Sequence, residues 1–81
     1  MGLTEGNNFL IEFWEEGVEQ AKEYIVLDKE WIATLNRIRE EYPNNWRIVE
    51  ACRELIFYYT KEIQEEAQEI EDLRKAISQL S

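Results

Sequence analysis

The stretch VEACRELIFYYTKEIQEEAQEIEDLRKAISQL, Val49 to Leu80, decides the fold. A β-branched residue recurs every seventh position at Val49, Ile56, Ile63, Ile70 and Ile77. A second series follows three residues behind, at Cys52, Tyr59, Glu66, Leu73 and Leu80. These are the a and d positions of a heptad, interrupted once by Glu66. The pattern predicts one long helix over 46–80, about 50 Å long at 1.5 Å per residue.

Upstream of this helix stands the only proline, Pro43. It has no N–H to donate and pushes Tyr42 out of the helical region, so a helix ends there. Asn44 and Asn45 follow as turn and cap residues. Before the turn, a 4-3 spacing runs through Leu10, Trp14, Gly17, Ala21, Tyr24, Asp28, Trp31, Leu35, Ile38 and Tyr42. It predicts a first helical arm over 8–41, with Thr4, Asn7 and Asn8 as candidate N-caps after a frayed start. The β-branched Ile25 and Val26, followed by Asp28 on the seam, favour a break near 26–28, with Asp28 capping a second helix.

The expected class is therefore all-α, in one domain spanning residues 1–81. It is either an antiparallel helical hairpin or, if the first arm breaks, a three-helix bundle, with one long C-terminal helix in both cases. Phe57 and Tyr58 fall outside the heptad seam, and Leu55 through Tyr59 circle the helix. One hairpin seam does not use that much apolar surface. Pairing into a homodimeric bundle through Ile63, Ile70, Leu73, Ile77 and Leu80, with Phe57 and Tyr58, is expected to cover it. Trp14 and Trp31 are expected in the core.

Composition narrows the function. Eighteen acidic residues against nine basic ones leave a net charge of −9. That excludes direct binding to nucleic acid or anionic lipid, which needs an excess of Lys and Arg. There is no histidine and one cysteine, Cys52. The commonest general base, the Cys–His pair and the cysteine-rich zinc site are all missing. Cys52 reads as a small buried apolar residue. An enzyme is not expected, and no cofactor or metal is implied. The N-terminus lacks a signal peptide's basic and apolar regions, and Gly6 stands where a myristoylation motif wants Ser or Thr. The apolar runs fall far short of the ~20 residues that cross a bilayer. Sparing use of cysteine fits a cytoplasmic protein.

Charge is unevenly spread. Residues 1–27 carry −5, residues 28–45 carry −1, residues 46–60 are neutral and residues 61–81 carry −3. Folding at Pro43 brings two acidic stripes to the open end: Glu12, Glu15, Glu16, Glu19 and Glu23 from one arm, and Glu62, Glu65, Glu66, Glu69 and Asp72 from the other. Acids repeated at i, i+3 and i+4 repel one another. Such a rod presents a duplex-like negative surface that could occupy the basic, nucleic-acid-binding groove of a partner protein. At the turn, Trp46 beside Arg47 and near Arg39 forms a second candidate contact, of the aromatic–arginine type that dominates interfaces.

The expected function is thus a non-enzymatic binding protein, an inhibitor or regulator that covers a basic surface. Small acidic phage inhibitors, anti-CRISPR proteins among them, work this way as a class; the likeness is one of size, charge and helicity. A self-associating coiled-coil adaptor is the alternative, with acidity serving solubility. A carboxylate-rich metal-binding bundle is a second alternative.

Overall fold

The computed structural model describes residues 2–81, with side chains from Gly6 onward. Among the described residues there are two helices: α1, Gly2–Glu41, and α2, Trp46–Leu80. They pack as an antiparallel hairpin whose Cα dimensions are 66 × 14 × 13 Å. Each helix has one partner only, so the core is a single seam.

The turn forms as Pro43 requires. The Asn45 N–H donates to the Tyr42 carbonyl at 3.2 Å, closing a tight turn. Asn45 has extended backbone angles (φ −95°, ψ 94°), and its side chain accepts from the Ile48 N–H at 3.2 Å. It is the N-cap of α2 and satisfies a donor that has no partner within the helix. At the far end, Ser81 N–H and Oγ–H both donate to the Ile77 carbonyl.

The α2 seam matches its heptads throughout. Val49, Ile56, Ile63, Ile70 and Ile77 are half-buried, as are Tyr59, Glu66, Leu73 and Leu80, and Cys52 is buried with a free thiol.

Three expectations for the first arm need correction. First, α1 runs unbroken through Val26, Leu27 and Asp28, so the chain forms a two-helix hairpin and not three helices. An interior Asp lowers helix propensity by only about 0.5–0.7 kcal/mol, and seam contacts on both sides carry the helix past it. Second, α1 begins at Gly2, which places Thr4, Asn7 and Asn8 inside the helix rather than at a cap; Met1 lies outside the described residues. Third, the seam is rotated. Trp14, Ala21, Asp28 and Leu35 face inward as expected, but Ile11, Val18, Ile25 and Ile32 join them in place of Leu10, Tyr24 and Trp31, while Gly17 stays half-buried against Leu73. Both sets alternate with Trp14, Ala21, Asp28 and Leu35 at 3-4 spacing. The β-branched set fits the narrow gap between two helices, and the larger aromatics move to its flank. Trp31 is accordingly 53% exposed and not a core residue.

Two contacts fix the register. A Cβ added at Gly17 would lie 3.1 Å from Leu73 Cδ1, and the Trp31 ring stacks on Tyr59 with centroids 6.2 Å apart. Both contacts are spaced by two heptads on each helix, so the register holds along the rod. Glycine at 17 is what lets the α1 backbone approach Leu73 this closely.

Candidate interaction surfaces

Three features of the surface follow from this packing. The first is the acidic open end. Glu12, Glu15, Glu16, Glu19 and Glu23 of α1 are all exposed. They border one open depression around Phe13, Trp14 and Gly17, and Glu69 of α2 borders it too. Of the α2 stripe, Glu69 alone borders this depression. Glu65 and Asp72 are also exposed, the latter accepting from Gln68 Nε2 at 3.0 Å, whereas Glu62 and Glu66 are half-buried. Among the described residues only two ion pairs form, Lys22–Glu19 at 3.4 Å and Lys75–Glu71 at 3.3 Å, each within one helix and exposed. Such pairs contribute about 0–1 kcal/mol and leave most of the acids uncompensated.

Beneath this end lies a carboxylate cluster that spacing alone did not assemble. Asp28 is 7% exposed, and its Oδ2 has no hydrogen-bond partner. Glu66, on the facing helix, is held above its ordinary value of 4.5, first by burial and then by the charges of Glu69, Glu62 and Asp28, with a hydrogen bond to Glu69 adding to the effect. An antiparallel register folded at Pro43 sets Asp28 and Glu66 at different levels, yet the Asp28 charge reaches Glu66. Among the described residues no group of three or more side chains is placed to hold a metal ion.

The second feature is the turn. Trp46 is 71% exposed, with the Arg47 guanidinium carbon 5.4 Å from its ring centroid, in a cation–π arrangement. Trp46 and Tyr42 border the same open depression. Arg39 is not part of it: its Nη2 donates to Asn36 Oδ1 at 3.1 Å, and the side chain is half-buried along α1.

The third feature is an apolar strip that follows from the rotated seam. Tyr24, Leu27 and Trp31 of α1 are exposed at 3-4 spacing, and so are Leu55 and Tyr58 of α2. The rings join the two sets: Trp31 stacks on Tyr59, and Tyr58 packs edge-on against Tyr59 with centroids 5.5 Å apart. Both helices thus contribute to one face, in the half of the rod nearer the turn. Ile63, Ile70, Leu73, Ile77 and Leu80, expected at a self-association surface, are half-buried in the seam with α1. Phe57 is 74% exposed, one residue around the helix from Tyr58.

The depressions on this rod are shallow and open, and among the described residues no helix is long and apolar enough to cross a membrane. No family model matches the chain, and neither a curated protein nor a solved structure shows significant similarity to it.

Proposed function

We propose that this chain is a non-enzymatic binding protein whose acidic open end covers a basic, nucleic-acid-binding surface of a partner protein and so inhibits or regulates it. The observation that carries this reading is the meeting of five α1 glutamates and Glu69 around one depression, with only two exposed ion pairs to offset the charge. A helix evolved for stability alone would alternate charge sign along each face. Concentrated negative charge steers a basic partner and speeds encounter. In its likeness to acidic phage inhibitors and DNA mimics the reading is one of mechanism, not of descent. Its setting is the cytoplasm, where buried Cys52 stays reduced.

The test is capture of partners on the tagged protein, elution by a salt gradient and identification by mass spectrometry. The expected partner is basic, leaves as salt rises and is displaced by added DNA or RNA. Replacing Glu15, Glu16, Glu65, Glu66 and Glu69 by Gln should weaken capture by about tenfold or more, since rim charges act mainly on encounter and buried ones on release. Affinity indifferent to both salt and these changes rules the reading out.

A second reading, self-association into a homodimer, is favoured by the exposed strip of Tyr24, Leu27, Trp31, Leu55 and Tyr58. The two readings are compatible because they use different halves of the rod.

A further inference from the structure

The two register contacts, Gly17 with Leu73 and Trp31 with Tyr59, put residues 13–28 of α1 alongside residues 62–77 of α2. On the side of the seam that Gly17 and Trp31 flank, α1 presents Leu10, Phe13, Tyr24, Leu27 and Trp31, all exposed. Uncharged Gly17 and Gln20 complete their 3-4 spacing. On the same side α2 presents Glu62, Glu65, Glu69 and Asp72, then Leu55 and Tyr58 nearer the turn. Along the outer edge of the α1 row, three residues beyond Phe13, Gln20 and Leu27, stand exposed Glu16, Glu23 and Glu30. From Leu10 to Trp31 an apolar strip about 32 Å long thus runs between two acidic rows. One open depression crosses its full width: Glu16 and Glu23, then Phe13, Gly17 and Gln20, then Glu69.

The other side of the seam is different. Lys22, Lys29, Arg53 and Arg74 all lie there, and Lys22 and Arg74 share a depression with Glu15 and Glu19. On the side of the strip no Lys or Arg stands in the line of either helix. Glu66, in the seam beneath, is held above 4.5 first by burial and then by the charges of Glu69 and Glu62, in keeping with a row that no cation offsets.

We infer that this strip is the docking site for a basic amphipathic helix of the partner protein. The apolar stripe of that helix lies on Leu10, Phe13, Tyr24, Leu27 and Trp31, and its Lys and Arg side chains reach the acids on both edges. This rests on the binding reading above, names the form of basic surface that is met, and gives the exposed strip to that partner rather than to a second copy. Charge complementarity selects the occupant. A second copy brings no Lys or Arg on this face to meet the acids. Nucleic acid and anionic lipid are repelled by them, and an uncharged apolar helix would desolvate them without a partner. A helix of about twenty residues has the length of the strip, and anchors at i, i+3, i+4 and i+7 match its spacing. Laid along the groove between α1 and α2, it gives each a second neighbour, where among the described residues the hairpin alone leaves no large side chain fully buried. Toward the turn Leu55 and Tyr58 take the place of the acids, so the more apolar end of the docked helix lies there and its more basic end at the open end.

The test is fluorescence anisotropy of labelled Leu/Lys peptides of about twenty residues, titrated with the full chain. One peptide places Leu at i, i+3, i+4 and i+7; the other has the same composition and charge in scrambled order. The patterned peptide should bind about tenfold or more tightly than the scrambled one, gain helical circular dichroism on binding and weaken as salt rises. Phe13→Ser and Leu27→Ser should each weaken it by about tenfold or more, as truncation at an interface centre does. Gln at positions 62, 65 and 69 together should lower both the affinity and its dependence on salt. Phe57→Ser, on the other side of α2, should leave binding unchanged. The comparison of the two peptides needs no variant, so it stands whatever a substitution does to folding. Equal, salt-sensitive binding of both peptides, or binding of neither while a basic partner is still captured and released by salt, overturns the helix site and leaves the acidic-end reading standing. Binding indifferent to salt and to the Gln changes overturns both. A chain that dimerises in sedimentation, with the dimer broken by Leu27→Ser and the peptide excluded, makes a second copy the occupant and overturns the helix site.

Discussion

Asp28 is the residue that fits its surroundings least. It occupies a d position in the seam, is 7% exposed and leaves Oδ2 without a hydrogen-bond partner. A buried polar atom left unsatisfied costs about 1–3 kcal/mol. Asp28→Leu fills the same seam position without that deficit and should stabilise the hairpin by about 1–3 kcal/mol, read as a rise in the urea midpoint at unchanged slope. A lower midpoint would mean that Asp28 has a partner or a structural role absent from this hairpin. The residue was recognisable from sequence as a seam-breaker. Its consequence was not: the seam break suggested a helix end, whereas the folded chain absorbs it as a buried carboxyl group with one oxygen unpartnered.

At the scale of the elements, α2 was legible almost residue by residue, and α1 was not. In α2 the apolar residues at a and d have no rival set at an adjacent phase. In α1 two sets compete, Leu10, Gly17, Tyr24 and Trp31 against Ile11, Val18, Ile25 and Ile32. Both share the inward Trp14, Ala21, Asp28 and Leu35, so period alone could not choose between them. The choice depends on what α2 offers across the seam, where Leu73 comes within 3.1 Å of a Cβ position at Gly17 and Tyr59 stacks under Trp31. The turn between the elements was legible because its chemistry is local. Asn45 caps α2 through its bond from the Ile48 N–H, and Asn45→Ala should lower stability by about 1 kcal/mol. Chemical denaturation would measure this, and Asn45→Asp should retain most of the effect. Equal losses in the two variants would show that the cap contributes nothing.

For the whole molecule, electrostatics set the response to pH. Glu66 is held above 4.5 by burial and by acids on both helices: Glu69 and Glu62 beside it, and Asp28 from α1. The folded chain therefore holds the Glu66 proton more tightly than the unfolded chain does. The stabilising contribution is fully present below the ordinary glutamate value and is lost as pH rises through the raised folded value. The melting temperature should rise as pH is lowered from 7 toward 5, and Glu66→Gln should flatten part of that rise. A melting temperature that falls on acidification, or a slope untouched by Glu66→Gln, would remove the cluster from the account. The same charges that destabilise the neutral-pH hairpin are those proposed to meet a basic partner, whose binding would offset their repulsion.

The sequence by itself determined the helical class, the site of the turn, the α2 seam and the acidic character of the open end. Heptad spacing, a lone proline and charge counts are local properties that a neighbour does not alter. Only the tertiary structure decided that α1 passes through Asp28 unbroken, which face of α1 turns inward, and that Asp28 and Glu66 share one electrostatic environment. Each of these is a relation between residues far apart in sequence. It is settled by what fits and what is desolvated when two helices close on each other, and that free energy does not exist until they do.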